Sequence, residues 1–122
     1  MTGVQTCALP IYKAIKSLKA NHPEATLEIT GGLNRPPLQP SATKELYEIA
    51  KAVAKRVGLG DLGAAEVGGA SDGNFAAAAG AKVLDGLGAV GGGAHAATEW
   101  VSVKSIAERS AFLHELVKEL LK

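Results

Sequence analysis

The stretch GGASDGNFAAAAGAKVLDGLGAVGGGAHAATEW, residues 68–100, decides how this chain is read. It joins a polar turn, a run of small residues, a short apolar segment and one histidine among glycines and alanines. Gly68 and Gly69 let the backbone turn sharply. Ser71 or Asp72 then caps a small-residue helix that Gly80 ends. Free amides at such a turn attract anions through hydrogen bonds and the helix dipole. AKVLDG, 81–86, predicts a short strand. GLGAVG, 86–91, matches the glycine pattern of a dinucleotide loop. That loop needs a helix directly behind it, and none is predicted before about residue 103. A dinucleotide site is therefore set aside. His95 is left with small neighbours that give another body room to approach its ring, and Glu99 stands four positions on.

Working outward, AAEVGG at 64–69 reads as a strand running into the turn. Before it, residues 42–57 predict a helix capped by Ser41 and ended by Gly58. Its apolar face is Leu46, Ile49, Ala50, Val53, Ala54 and Val57. Pro36, Pro37 and Pro40 forbid a regular element over 31–40. This stiff connector is the candidate domain boundary. Arg35 lies in it, in NRPP, where the prolines restrict the backbone and can fix the guanidinium. A planar fork held in this way suits a carboxylate. ATLEITG, 25–31, alternates as a half-buried strand, and 12–21 predicts a short helix. After the histidine, Ser102 caps a last helix, 103–121. Its expected inner stripe is Val103, Ile106, Ser110, Leu113, Val117 and Leu120, widened by Phe112 and Leu116. His22 and His114 are read as surface residues.

The 122 residues suffice for one modest domain, and the formal charge of +1 shows no basic excess for nucleic acid. Five aromatic residues offer no base-stacking platform. No apolar run reaches the length of a membrane span. The composition leads us to expect a soluble cytoplasmic α/β protein.

The first eleven residues stand apart. GVQTCALPI, 3–11, resembles a translated sequencing-library adapter: GGA GTT CAG ACG TGT GCT CTT CCG ATC encodes it codon by codon. Residues 1–11 are accordingly expected to be a non-native head without a role in the fold. They imply a reading frame from bulk, metagenomic DNA whose upstream part is missing. Cys7, the single cysteine, falls in this head, so no thiol chemistry is expected.

NRP at 34–36, GGASDGN at 68–74, GGGAH at 91–95 and Glu99, in this order, resemble the C-terminal part of the dimetal zinc carboxypeptidase and deacylase superfamily. It includes glutamate carboxypeptidase, acetylornithine deacetylase, succinyl-diaminopimelate desuccinylase and aminoacylase. The resemblance covers about 12–122. It implies an α/β fold: residues 37–122 as the C-terminal half of a catalytic domain on a mixed sheet. Residues 12–36 would be the last helix and strand of an inserted lid through which such enzymes form homodimers.

Residue by residue, the resemblance makes His95 a zinc ligand and Arg35 the group that binds the substrate's free carboxylate. Gly69, Ala70 and Ser71 would line the substrate pocket with backbone amides. Asp72 and Glu99 would support the site. Ala70 stands where some relatives carry threonine, so a hydroxyl contact is lost and the desuccinylase substrate is disfavoured. The implied reaction is cleavage of a peptide or N-acyl amide next to a free carboxylate. In it, two zinc ions lower the pKa of a shared water toward about 7. The other metal ligands, the general base and the lid histidine have no counterpart here, so no catalytic residue is assigned and this chain alone is expected to be inactive. A non-catalytic binding or interaction module, or a fragment without independent function, is the alternative.

Overall fold

The computed structural model describes residues 3–122; Met1 and Thr2, the start of the adapter-like head, lie outside the described residues. In chain order it has α1 (Gly3–Lys16), α2 (Pro40–Arg56), α3 (Gly73–Ala78), β1 (Gly91–Gly92), β2 (Trp100–Val101) and α4 (Val103–Leu120).

The core lies between α2 and α4. Ala50, Val53 and Ala54 of α2 are buried against Phe112 and Leu116 of α4, and Ile49, Leu59, Leu62, Leu84 and Leu87 pack around them. The α2 residues belong to the face that its 3,4 spacing predicts. Both ends of α2 follow from local chemistry. Pro40 occupies the first turn, where its fixed φ and missing N–H suit a helix start. That displaces the expected Ser41 cap: Gln39 is the N-cap and makes no side-chain cap bond. At the far end Gly58 takes φ +77°. Its amide donates to Lys55 O at 3.3 Å and the Leu59 amide to Ala54 O at 2.9 Å. This paired closure satisfies the last carbonyls and turns Leu59 back onto the core. The Arg56–Glu119 ion pair, 2.7 Å, joins the same end of α2 to α4.

On α4 the widening residues Phe112 and Leu116 are buried as expected, but the stripe they widen is corrected. The buried residues are Ser105, Phe112 and Leu116. Val103 is 79% exposed, and Ile106, Val117 and Leu120 are exposed too. The helix carries two apolar faces, and α2 covers the one centred on Phe112.

Three expected strands, 25–31, 64–69 and 81–86, are not formed. A strand's amides and carbonyls need a neighbouring strand to complete the ladder, and none lies beside these segments among the described residues. The Val83 amide instead donates to Ala42 O at the start of α2, 2.9 Å. The sheet that is present is the antiparallel pair β1–β2, not the mixed sheet expected. Residues 3–11 are helical and continuous with 12–16, so the helix expected from residue 12 begins earlier. That helix stops five residues before Asn21, where the Ser17 hydroxyl donates to Ala14 O at 2.8 Å. No helix among the described residues is long and apolar enough to cross a membrane.

Candidate functional site

His95 is carried by a hairpin fastened to α4. Gly91 pairs with Val101 and Gly92 with Trp100. These two glycines are needed for close approach: a Cβ on Gly91 would run into the Trp100 carbonyl, and one on Gly92 would meet the indole. The hairpin base is tied down by the Ser102 amide donating to Val90 O at 2.8 Å. The Val90 amide in turn donates to Ser105 Oγ at 2.9 Å. Ser102 caps α4 as expected, its hydroxyl accepting from the Ser105 amide at 3.3 Å. The glycine run is thus one strand of a tight hairpin, and the imidazole rides on its connecting loop.

Within that loop His95 is exposed and adopts φ +66°; it is the only non-glycine at positive φ among the described residues. The Ala96 amide donates to Gly93 O at 2.9 Å and the Glu99 amide to Ala96 O at 3.0 Å, closing successive turns on either side of it. A side chain in the left-handed region costs about 1 kcal/mol or more. His95→Gly is expected to leave stability unchanged or to raise it by about 0.5 kcal/mol, because relief of strain is partly offset by the freer unfolded chain. Chemical denaturation measures this; a loss above about 1 kcal/mol would show that the imidazole holds the fold.

The second group of expected residues gathers around α3. Arg35 Cζ stands 4.6 Å from the centroid of the Phe75 ring. One guanidinium nitrogen lies 3.7 Å from an Asp72 carboxylate oxygen, and that carboxylate is almost wholly exposed. The guanidinium lies over the Phe75 ring in a cation–π contact, and the Arg35 side chain stays about one-third exposed. Next door, Asn74 Nδ2 donates to Pro36 O at 2.8 Å. The Ser71 amide is not free, as the anion-binding reading of the turn requires; it donates to Asn74 Oδ1 at 2.9 Å. Gly69 and Ala70 are exposed. Asp72 is the N-cap of α3 but makes no side-chain cap bond. The Ser71 hydroxyl does the capping, accepting from the Gly73 amide at 3.2 Å.

Ser71 also reaches the segment before the hairpin. Its hydroxyl donates to Asp85 Oδ2 at 2.6 Å, and the Gly86 amide donates to Asp85 Oδ1 at 2.7 Å. The Ser71 hydroxyl first, and the Gly86 amide second, hold the Asp85 carboxyl below the usual carboxylate range. Bonds made to the charged form stabilise the fold above the unfolded aspartate's pKa and are lost as pH falls through the lower folded value. Ser71→Ala is expected to raise the Asp85 pKa toward its ordinary value, read by carbon-detected NMR titration. An unchanged titration would show that the hydroxyl is not the main cause.

Asn74, Phe75 and Asp85 were given no role from sequence. Asp85 is the lone acid of an apolar segment, a signal that could have singled it out. Asn74 and Phe75 gave none, because their partners lie far away in the chain. Among the described residues no hydrogen bond or ion pair links His95 or Glu99 with Arg35 or the 71–75 turn. One surface hollow lies beside Val57 and Glu108 and another beside Tyr47 and Arg109, and neither is lined by Arg35 or His95. No group of three or more His, Cys, Asp or Glu side chains among the described residues is placed to hold a metal ion. A lone exposed imidazole does not fit a dimetal centre by itself.

No curated protein and no solved structure matches the chain. A family model described as Peptidase family M20/M25/M40 matches residues 3–119, a span that includes Arg35, the 69–75 turn, Asp85 and the His95 hairpin. With nearly all of its length matched, this chain belongs to peptidase family M20/M25/M40.

Proposed function

We propose that this chain supplies the carboxylate-binding part, and one metal ligand, of a zinc-dependent hydrolase. That hydrolase cleaves a peptide or N-acyl amide bond next to a free carboxylate. Peptidases of this family are typically metal-dependent, which supports the metal requirement; zinc is our assignment. The observation that carries the substrate class is the Arg35 guanidinium, stacked on Phe75 beside the exposed turn at 69–72. A planar cation held by its face offers its edge as two parallel donors, the geometry a carboxylate accepts. Gly69, Ala70 and Ser71 form the adjoining wall, Asp72 steadies the guanidinium, and His95 with Glu99 stands at the metal. The remaining ligands and the general base come from protein outside this sequence, with a homodimerising lid contributed by the same whole enzyme.

The test is direct. The purified chain is incubated with zinc and a panel of N-acyl amino acids and dipeptides ending in glutamate. No turnover is expected from the chain alone, and turnover is expected when the N-terminal half of a family member is added. Chelator-sensitive turnover by the chain alone, lost in His95→Ala, would overturn the division of labour proposed here. Specific binding of these ligands without turnover under either condition would favour a non-catalytic binding module.

A further inference from the structure

Asn74 is one of two buried polar residues among those described, and it lies in a six-residue helix with little packing of its own. Its amide group is used at both ends. Oδ1 accepts from the Ser71 amide at 2.9 Å, and Nδ2 donates to the Pro36 carbonyl at 2.8 Å, 38 positions away in sequence. One side chain therefore touches the backbone of the 69–72 turn and the carbonyl of Pro36, the residue next to Arg35. Phe75, the next residue, lies under the guanidinium itself.

We propose that Asn74 is the positioning residue that holds the Arg35–Pro36 segment at a fixed spacing from the 69–72 turn, and so sets where the Arg35 guanidinium stands to meet a substrate carboxylate. This deepens the functional reading above and rests on it. Only asparagine meets the geometry as it stands. A carboxylate of the same shape accepts from Ser71 but has no proton for Pro36 O, and it places charge against that carbonyl. An aliphatic residue leaves both half-buried backbone groups without this partner. Glutamine is one methylene longer and pushes the two segments apart. Pro36 cannot donate and has no side chain that could take over, so the connector depends on the partner reaching it.

The experiment uses the full chain, without any ligand in its first arm. Backbone and guanidinium N–H resonances of Ser71 and Arg35 are recorded for the wild type, Asn74→Asp and Asn74→Ala. In Asn74→Asp at pH 7 both residues are expected to shift, because the Pro36 arm is lost. Lowering the pH protonates the new carboxyl, which then donates to Pro36 O while still accepting from Ser71, and both signals are expected to return toward wild type. Arg35, Asp72 and Asp85 are the charged groups facing this position, and the wild type titrated in parallel subtracts the two native aspartates. Asn74→Ala, which carries no charge, is expected to shift both residues at every pH. Arg35 resonances that stay in place in both variants while Ser71 moves would overturn the proposal, as would an Asn74→Asp shift that acid does not reverse while helical circular dichroism is retained.

A second arm titrates N-acetyl-L-glutamate. Asn74→Asp is expected to weaken binding roughly tenfold at pH 7, the equivalent of about one hydrogen bond, with recovery at low pH relative to wild type. Arg35→Ala serves as the reference. If it leaves the probe's affinity unchanged, the carboxylate reading of Arg35 fails, and the ligand-free arm still decides whether Asn74 sets the spacing.

Discussion

Phe112→Ala is expected to abolish the cooperative unfolding transition of this chain. Phe112 is fully buried and, among the described residues, is the largest side chain of a core with five buried apolar members. Removing such a ring costs about 3–5 kcal/mol, from lost transfer energy and from the cavity left behind. Whole domains are stable by only about 5–15 kcal/mol, and a core this small belongs at the lower end. The loss therefore approaches the entire stability. Far-UV circular dichroism against denaturant should show a sloping, non-cooperative curve. Val103→Ala is the matched comparison on the same helix: Val103 is 79% exposed, and its truncation should change stability by about 0.5 kcal/mol or less. A larger loss in Val103→Ala than in Phe112→Ala would mean that α4 turns its Val103 side inward.

That comparison shows where sequence was informative and where it was not. The existence of α2, α3 and α4 was legible because their boundary signals act locally: Gly58 and Gly80 take positive φ just past the ends of α2 and α3, and Ser102 caps the start of α4. The orientation of α4 was not legible. Val103, Ile106, Val117 and Leu120 have the 3,4 spacing of a buried face, and so do Ser105, Phe112 and Leu116 with Arg109 between them. Periodicity reports that a face is apolar; it does not say which neighbour covers it. The strands failed for a related reason. Leu27 and Ile29 alternate correctly, but alternation makes a strand only where a second strand completes the hydrogen bonds.

The sequence pointed to Arg35, the 69–72 turn and His95, each through its own local motif. The structure joins the first two through Asn74, Phe75 and the Pro36 carbonyl. Those links have no local signature, because each runs between the 34–36 segment and a helix nearly 40 positions later. His95 differs again. Its left-handed backbone was invisible to residue counting, although the surrounding glycines marked the tight hairpin that imposes it.

In a hydrolase reconstituted from this chain and the N-terminal half of a family member, Arg35→Ala is expected to lower kcat/KM about 10²–10³-fold on an N-acylglutamate. The magnitude follows from the loss of a charge-assisted, two-pronged contact, worth about 3–4 kcal/mol when one partner is left unpaired, at about 1.4 kcal/mol per factor of ten. Arg35→Lys should recover little of it. A lysine ammonium is a point charge that cannot lie flat on the Phe75 ring and present two parallel donors at once. The decisive comparison changes the substrate as well as the enzyme. With the free carboxylate replaced by a neutral amide, wild-type activity should fall nearly as far as it does in Arg35→Ala, and the variant should lose little more. The two losses are then one interaction seen from both sides. If Arg35→Ala slowed both substrates by the same factor, the arginine would be acting on the shape of the turn, and the carboxylate would have to be held elsewhere.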